Sequence, residues 1–275
     1  MKNTLILTIC AGLASAVAAQ VPDFVRLPVQ PAVPVQDKGY DRPDPFAVAL
    51  AAQPIEFSGY TWWVKTSSGR VGPGPNYFSD SPNNVWVDGE GRLHLRITKV
   101  KNRWYCAEVV STDVLGYGTY RWELASPVDH FDRNVVLGLF TWSDTSEFAN
   151  GEIDIEFARW GSRDPYPNAQ FVVQPYDAAD HMVRFNMPAG VPDSTHSFLW
   201  APERVFFQSL AGPWMSEPPA GAVVLEWSFL SPWPTPTGTE NARMNLWLYQ
   251  GAAPSDRLPV EVVFKSFTFV PYPEP

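Results

Sequence analysis

Between Ile55 and Val270 the chain is a succession of short runs rich in Val, Phe, Trp and Tyr, each cut off by Gly, Pro, Asn, Asp or Ser. "NNVWVDGEGRLHLRITKV" alternates apolar and polar residues around "DGEG", a hairpin signal. "YGTYRWELA", "NVVLGLFTW", "GEIDIEF", "NAQFVVQPY", "HSFLWAPERVFFQSL", "ARMNLWLYQ" and "VEVVFKSFTFV" continue the pattern. No stretch between them sustains a 3.6-residue period, so helices cannot supply a second layer. The chain is all-β by this criterion. About a dozen or more strands favour a two-sheet antiparallel sandwich of jelly-roll, concanavalin-like type over a small barrel. No fixed-period repeat is present, which argues against a propeller.

The segments ahead of this region read differently. "MKNTLILTICAGLASAVAAQ" has a basic start at Lys2, an apolar run and small residues before Gln20. It reads as a secretory signal over residues 1–19, too short to span a bilayer, which takes about 20 apolar residues. Residues 20–50 are Pro-rich and read as an extended leader, with "FAVALAA" as one or two helical turns at its end. Residues 51–275 form the remaining domain. Of the two Cys, Cys10 leaves with the signal, so Cys106 has no intramolecular partner and the core must hold the fold. The four His show no metal-ligand spacing. The net charge of −9 argues against nucleic acid or an anionic membrane as partner, since both need clustered Lys and Arg, and many aromatics suit a neutral sugar partner. A secreted monomer is the expected form.

"GEIDIEF" carries the chemistry. On a strand, residues two apart share a face, so Glu152, Asp154 and Glu156 stand in a row while Ile153, Ile155 and Phe157 face the core. The outer Cα atoms are about 13 Å apart, and long Glu side chains leaning together on a curved sheet close the gap toward the roughly 5–5.5 Å of a retaining glycosidase. Crowded carboxyls cannot all ionise cheaply, so at least one pKa rises. One ionised nucleophile and one protonated acid is what chemistry at a glycosidic bond needs. The bland alternative is an amphipathic strand with an acidic outer face.

The same stretch resembles the catalytic strand of glycoside hydrolase family 16, the jelly-roll β-glucanases. "YGTYRWELASP", "THSFLWAPERVFF", "RMNLWLYQGA" and "VEVVFKSFTF" are similar to further strands of that family, over roughly Phe57 to Val270. The resemblance implies a concave cleft, with Glu152 as nucleophile, Asp154 tuning the protonation of the pair, and Glu156 as general acid and then base. It implies an unbulged strand, since one residue separates Asp154 from Glu156. It also implies substrate contacts at Glu108, Phe140, Trp142, Asn245 and Trp247, with Asn76 of the "GPGPN" loop at one end of the cleft. Core packing is the alternative for Trp142 and Trp247, and a turn cap for Asn76. No cofactor is required, and a structural Ca2+ is left open. Departures from the lichenase pattern are Asn150 ahead of the nucleophile, Val110 in place of an Arg, and Cys106 without a disulfide partner.

The expected activity is endo-hydrolysis of a β-linked polysaccharide, a β-1,3 or mixed β-1,3/1,4-glucan, by double displacement. Two other readings use the same residues: a transglycosylase with a sugar acceptor, and a non-catalytic carbohydrate-binding jelly roll. A serine hydrolase fails for want of a GxSxG elbow.

Overall fold

The computed structural model of the chain describes residues 48–50 (backbone), 54–145, 151–230 and 237–273. The signal, the leader up to residue 47 and Asn150 lie outside the described residues. Seventeen strands and one 3-10 turn, Tyr249–Gly251, are present among them, with no α-helix. "FAVALAA" departs from the helical expectation: Val48–Leu50 is strand β1, antiparallel to β3 (Tyr60–Ser67). Its β-branched and bulky residues find a ready edge there.

One sheet runs β2 (Ile55–Phe57), β3, β7 (Arg103–Val114), β16 (Asn241–Leu248), β9 (Val135–Trp142), β10 (Ile153–Ala158), β11 (Ala169–Val173) and β12 (Met182–Phe185). The other runs β5 (Val85–Val87), β6 (Leu93–Val100), β17 (Val260–Pro271), β8 (Gly118–Leu124), β13 (Ser194–Ala201), β14 (Arg204–Ala211) and β15 (Val223–Leu230). β6 and β7 pair across a corner, and β4 (Tyr77–Phe78) lies parallel to the start of β7. The "DGEG" hairpin forms as its sequence dictates: Gly91 takes φ +77°, and the Asp88 side chain accepts the Glu90 and Arg92 amides.

The two layers meet through large rings. Trp62 lies 5.2 Å from Phe267, Phe171 stacks 4.8 Å from Phe207, and Phe157 meets the His196 ring at 4.6 Å. Burial of each such side chain stabilises by about 1.5–3 kcal/mol. On β10 the alternation resolves as the pattern requires. Ile153, Ile155 and Phe157 are fully buried between the sheets, so the acids stand on the opposite face. The register with β9 and β11 is unbroken from Asp154 to Phe157, so the strand carries no bulge.

Candidate active site

The acids occupy one face of the first sheet, and rows of side chains cross that face at each two-residue step. The Glu156 row reads Glu108, Asn245, Gly138, Glu156, Gln170, Arg184 from β7 to β12. The Asp154 row reads Val110, Arg243, Phe140, Asp154, Val172. This face points away from the other sheet, yet Asp154 is 5 % exposed, Gln170 4 % and Asn245 3 %. A flat solvated sheet would leave such residues open. Neighbouring side chains cover them, and Glu152 and Glu156 are the half-buried acids among them.

Local packing sets the two Glu. Thr141 Oγ1 donates to Gly151 O at 2.8 Å and accepts Ile153 N at 3.2 Å, pinning the backbone around Glu152. Gly151 presses on the fully buried Glu240 carboxylate, and a Cβ there would collide with it. Gly138, opposite Glu156, lies under Asn245: a Cβ would stand 2.6 Å from Asn245 Oδ1. Gln170 Nε2 donates to Glu156 Oε2 at 2.7 Å, and Arg184 Nε donates to Gln170 Oε1 at 3.1 Å. Gln174 Nε2 donates to Asp154 Oδ2 at 3.2 Å, and Asp154 and Glu152 share a further hydrogen bond.

The electrostatics follow from burial and crowding. Asp154 is held well above the usual carboxyl range, first by burial and then by the charges of Glu152 and Glu156. Glu152 is pushed up to about 8 by burial and by the Glu156 charge, against the hydrogen bond from Asp154 and the Arg243 charge. Glu156 is pushed up to about 7 by burial, against the Gln170 bond and the Arg184 charge. The triplet therefore retains protons at neutral pH. The hydrogen bond from Asp154 favours the ionised form of Glu152, against the burial and the Glu156 charge that hold its proton past pH 7. Glu156 can then hold or release a proton near pH 7. One nucleophile and one acid–base group can be prepared from these residues. Among the described residues no group of three or more His, Cys, Asp or Glu is placed to hold a metal ion.

No protein-family model and no curated protein matches the chain in sequence. Solved structures do match its fold. The Bacillus licheniformis β-glucanase superposes with a TM-score of 0.58 at 18 % identity, covering 81 % of this chain and 100 % of that one. A prokaryotic β-1,3-1,4-glucanase (lichenase) from a mouse hindgut metagenome gives 0.56 at 19 %, covering 82 % and 100 %. SCLam, a non-specific endo-β-1,3(4)-glucanase of family GH16, gives 0.55 at 14 %, covering 85 % and 97 %. The fold is the β-glucanase jelly roll.

Within this jelly roll the sequence-predicted contacts separate. Phe140 lies on the acids' face between Arg243 and Asp154, and Trp142, 37 % exposed, offers its ring to solvent. Trp142 Nε1 donates to Asp144 Oδ1 at 2.9 Å. Trp247 is buried on the same face, edge-on to Trp160 at 6.2 Å. Asn245 is buried with Oδ1 unpartnered, next in the row to Gly138 and Glu156. Glu108 stands at the β7 end of the Glu156 row, 1 % exposed, and its two oxygens meet Lys65 Nζ at 2.9 Å and Arg243 at 3.5 Å. Asn76 is buried, and its Nδ2 donates to Pro73 O within its own loop, as the turn-cap alternative has it, and to Leu248 O at the end of β16. Cys106 is a buried free thiol, pushed up to about 12 by burial, and inert.

Four residues escaped the sequence reading: Arg243, Asp144, Gln170 and Arg184. Arg243 NH2 donates to Asp144 at 2.9 Å, and its charge opposes the rise of Glu152. It lies in register opposite Val110 on β7. The signal was present, since Arg243 is two before Asn245 and must share its face.

Proposed function

We propose that the protein is a retaining endo-glycosidase acting on a β-linked glucan, with Glu152 as nucleophile and Glu156 as acid and base. The observation that carries this reading is the acid triplet: three carboxyls on one face of an unbulged strand, half-buried or buried, all raised in pKa. Glu152 attacks the anomeric carbon as the glycosidic C–O bond breaks, and Glu156 gives its proton to the departing oxygen. A glycosyl ester of Glu152 results. Glu156, now a carboxylate accepting the Gln170 hydrogen bond, takes a proton from water; the oxygen attacks the same carbon and expels Glu152. Two inversions give net retention. Asp154 keeps its proton throughout and donates toward Glu152, stabilising that carboxylate both as nucleophile and as leaving group. The glucan preference rests on the activities of the fold neighbours, and the aromatic rings of Phe140 and Trp142 on the same face suit a sugar's apolar side. The opening segment supports secretion, where a polysaccharide substrate is met.

The test is a pair of truncations with azide as external nucleophile. Glu152→Ala leaves a hole beneath the anomeric carbon, so azide entering there gives the inverted glycosyl azide. In Glu156→Ala azide attacks the glycosyl-enzyme instead and gives the retained product. Both variants lose hydrolysis of glucans by about a thousandfold or more while melting cooperatively. Undiminished turnover in either variant, or the same anomer from both, refutes the assignment.

A further inference from the structure

The β6–β7 hairpin carries charge that the rest of the chain does not answer. Val100 pairs with Arg103 across a two-residue turn, Lys101 and Asn102, with Lys101 at φ +56°. The turn puts Lys99, Lys101 and Arg103 at the hairpin tip, all exposed. Arg70, also exposed, joins them from the loop after β3. Val71 N donates to Asn76 O at 2.7 Å and Asn76 N to Val71 O at 3.0 Å, so Arg70 and Tyr77, the residues just outside this bridge, leave it side by side. β4 then lays Tyr77 against Tyr105 of β7, with the rings 6.0 Å apart.

The chain holds 29 acidic residues against 20 Lys and Arg, yet among the described residues none of these four cations meets a carboxylate or donates a side-chain hydrogen bond. Three lie over rings instead. Arg103 is 4.1 Å and Arg70 5.7 Å from the centre of the Tyr77 ring, and Lys99 is 5.9 Å from that of Trp104. A ring face holds a cation without consuming its N–H donors, so both guanidinium forks are positioned and unspent. They line a pocket of ≈ 290 Å³ with Tyr77, Asn102 and Trp104 among others. Its wall is anchored: Asn76 Nδ2 donates to Pro73 O and Leu248 O, each at 2.8 Å, and a Cβ on Gly251 would stand 2.7 Å from Pro75 O. The volume is close to the lower end of small-molecule sites, roughly 300–1,000 Å³, and suits a single sugar ring. The pocket lies off the acids' row: Trp104 stands four residues before Glu108 on β7, about 13 Å along the strand.

We propose that this pocket is a second glycan site, apart from the acids, that takes an anionic pyranoside, its charge a carboxylate or a sulfate ester. Cations without partners call for an anion, and the Asn102 amide and Trp104 indole beside them call for a ring with hydroxyls and an apolar face. Arg70 and Arg103 bind the oxyanion through their forked donors, and Lys99 and Lys101 add charge at the rim. The net charge of −9 does not oppose this, because at physiological salt charges more than about 8 Å apart are largely screened and the ligand meets the local cations. The assignment rests on the reading of the protein as one that acts on glycans, and adds that its glycan carries acidic sugars or lies beside them.

The experiment follows the Trp104 indole N–H by NMR in the full chain, with the signal assigned through Trp104→Phe. The probes, titrated at matched ionic strength, are a glucuronate oligosaccharide, a sulfated gluco-oligosaccharide, an unsubstituted gluco-oligosaccharide of the same length, and inorganic sulfate. The expected result is a shift that saturates with the uronate, the sulfate ester or both, which names the anion, and that stays near baseline with the neutral sugar and with inorganic sulfate. Arg103→Gln and Arg70→Gln each weaken the affinity about tenfold, the loss of one charge-assisted pair. Arg103→Lys keeps the charge, loses the fork and weakens it less. All three variants melt cooperatively and change rates on a neutral glucan by less than about twofold, since neither Arg lies in the acids' rows. An equal shift with the neutral sugar, a response to inorganic sulfate as strong as to the acidic sugars, unchanged affinity in Arg103→Gln and Arg70→Gln, or no response at all overturns the proposal. Binding is read without turnover, so the two readings fail separately. A Trp104 response in a protein that cleaves no glucan sinks the catalytic reading and keeps this site; turnover without a response overturns the site alone.

Discussion

Replacing Glu152 by Gln should make the protein more stable at neutral pH while stopping turnover. Glu152 titrates near 4.5 when unfolded and at about 8 when folded. Between these values the native state binds a proton that the unfolded chain has released, so stability is fully present below about pH 4.5 and is lost as pH rises through 8. The slope is about 1.4 kcal/mol per pH unit. From pH 4.5 to 7.5 the ceiling is therefore about 4 kcal/mol, and halving it for the solvent that reaches this half-buried carboxyl leaves about 2 kcal/mol. Gln does not titrate, still accepts from Asp154, and relieves Glu156 of a like charge. For a domain of this size each kcal/mol moves Tm by about 2–4 °C. The wild type should thus lose about 4–8 °C more than Glu152→Gln between pH 4.5 and 7.5, read by thermal melts in matched buffers. Contributions common to both proteins cancel in the difference. Parallel curves would mean that Glu152 is not strained by burial and crowding, and the protonation argument for the site would go with it.

The acid side is governed by another group. His196 is fully buried, hydrogen-bonded to Ser194 and Ser209, and pushed down to about 3 by burial. Its stability contribution is present above pH 6.5 and is lost as pH falls toward 3, by about 2 kcal/mol between pH 6.5 and 5. His196→Gln should flatten that limb in urea titrations; an unchanged slope refutes it. Lys65→Met strips Glu108 of its nearer cation and leaves a buried carboxylate 3.5 Å from Arg243. The expected cost is about 3 kcal/mol in denaturant midpoints, most of it recovered in Lys65→Met with Glu108→Gln. A loss below about 0.5 kcal/mol would class the pair with surface ion pairs and contradict its burial.

Much of the architecture was legible along the chain because its information is local. Period-2 alternation assigns each residue of β10 to one of two faces, and no distant contact can reverse that parity without exposing Ile153, Ile155 and Phe157. Asn245 came from the resemblance, and parity along β16 then puts Arg243 on its face. The "DGEG" hairpin follows from turn residues that need no partner far away. "FAVALAA" misled because its apolar residues suit either helix or strand, and the open edge of β3 decided between them.

What parity could not reveal is which residues of the outer face meet sugar and which meet each other. Glu108 meets Lys65, 43 positions earlier. Asn76 meets a carbonyl 172 positions later. A pocket beyond the end of β10 is assembled from Asp129, His130, Arg159, Pro165, Tyr166, Pro167, Asn168 and Asn186, residues spread over nearly sixty positions. Sequence alone determined an all-β chain with three carboxyls on one strand face. The tertiary structure decided how far each is desolvated and which cations stand by, because burial and charge act through space between residues the chain keeps far apart.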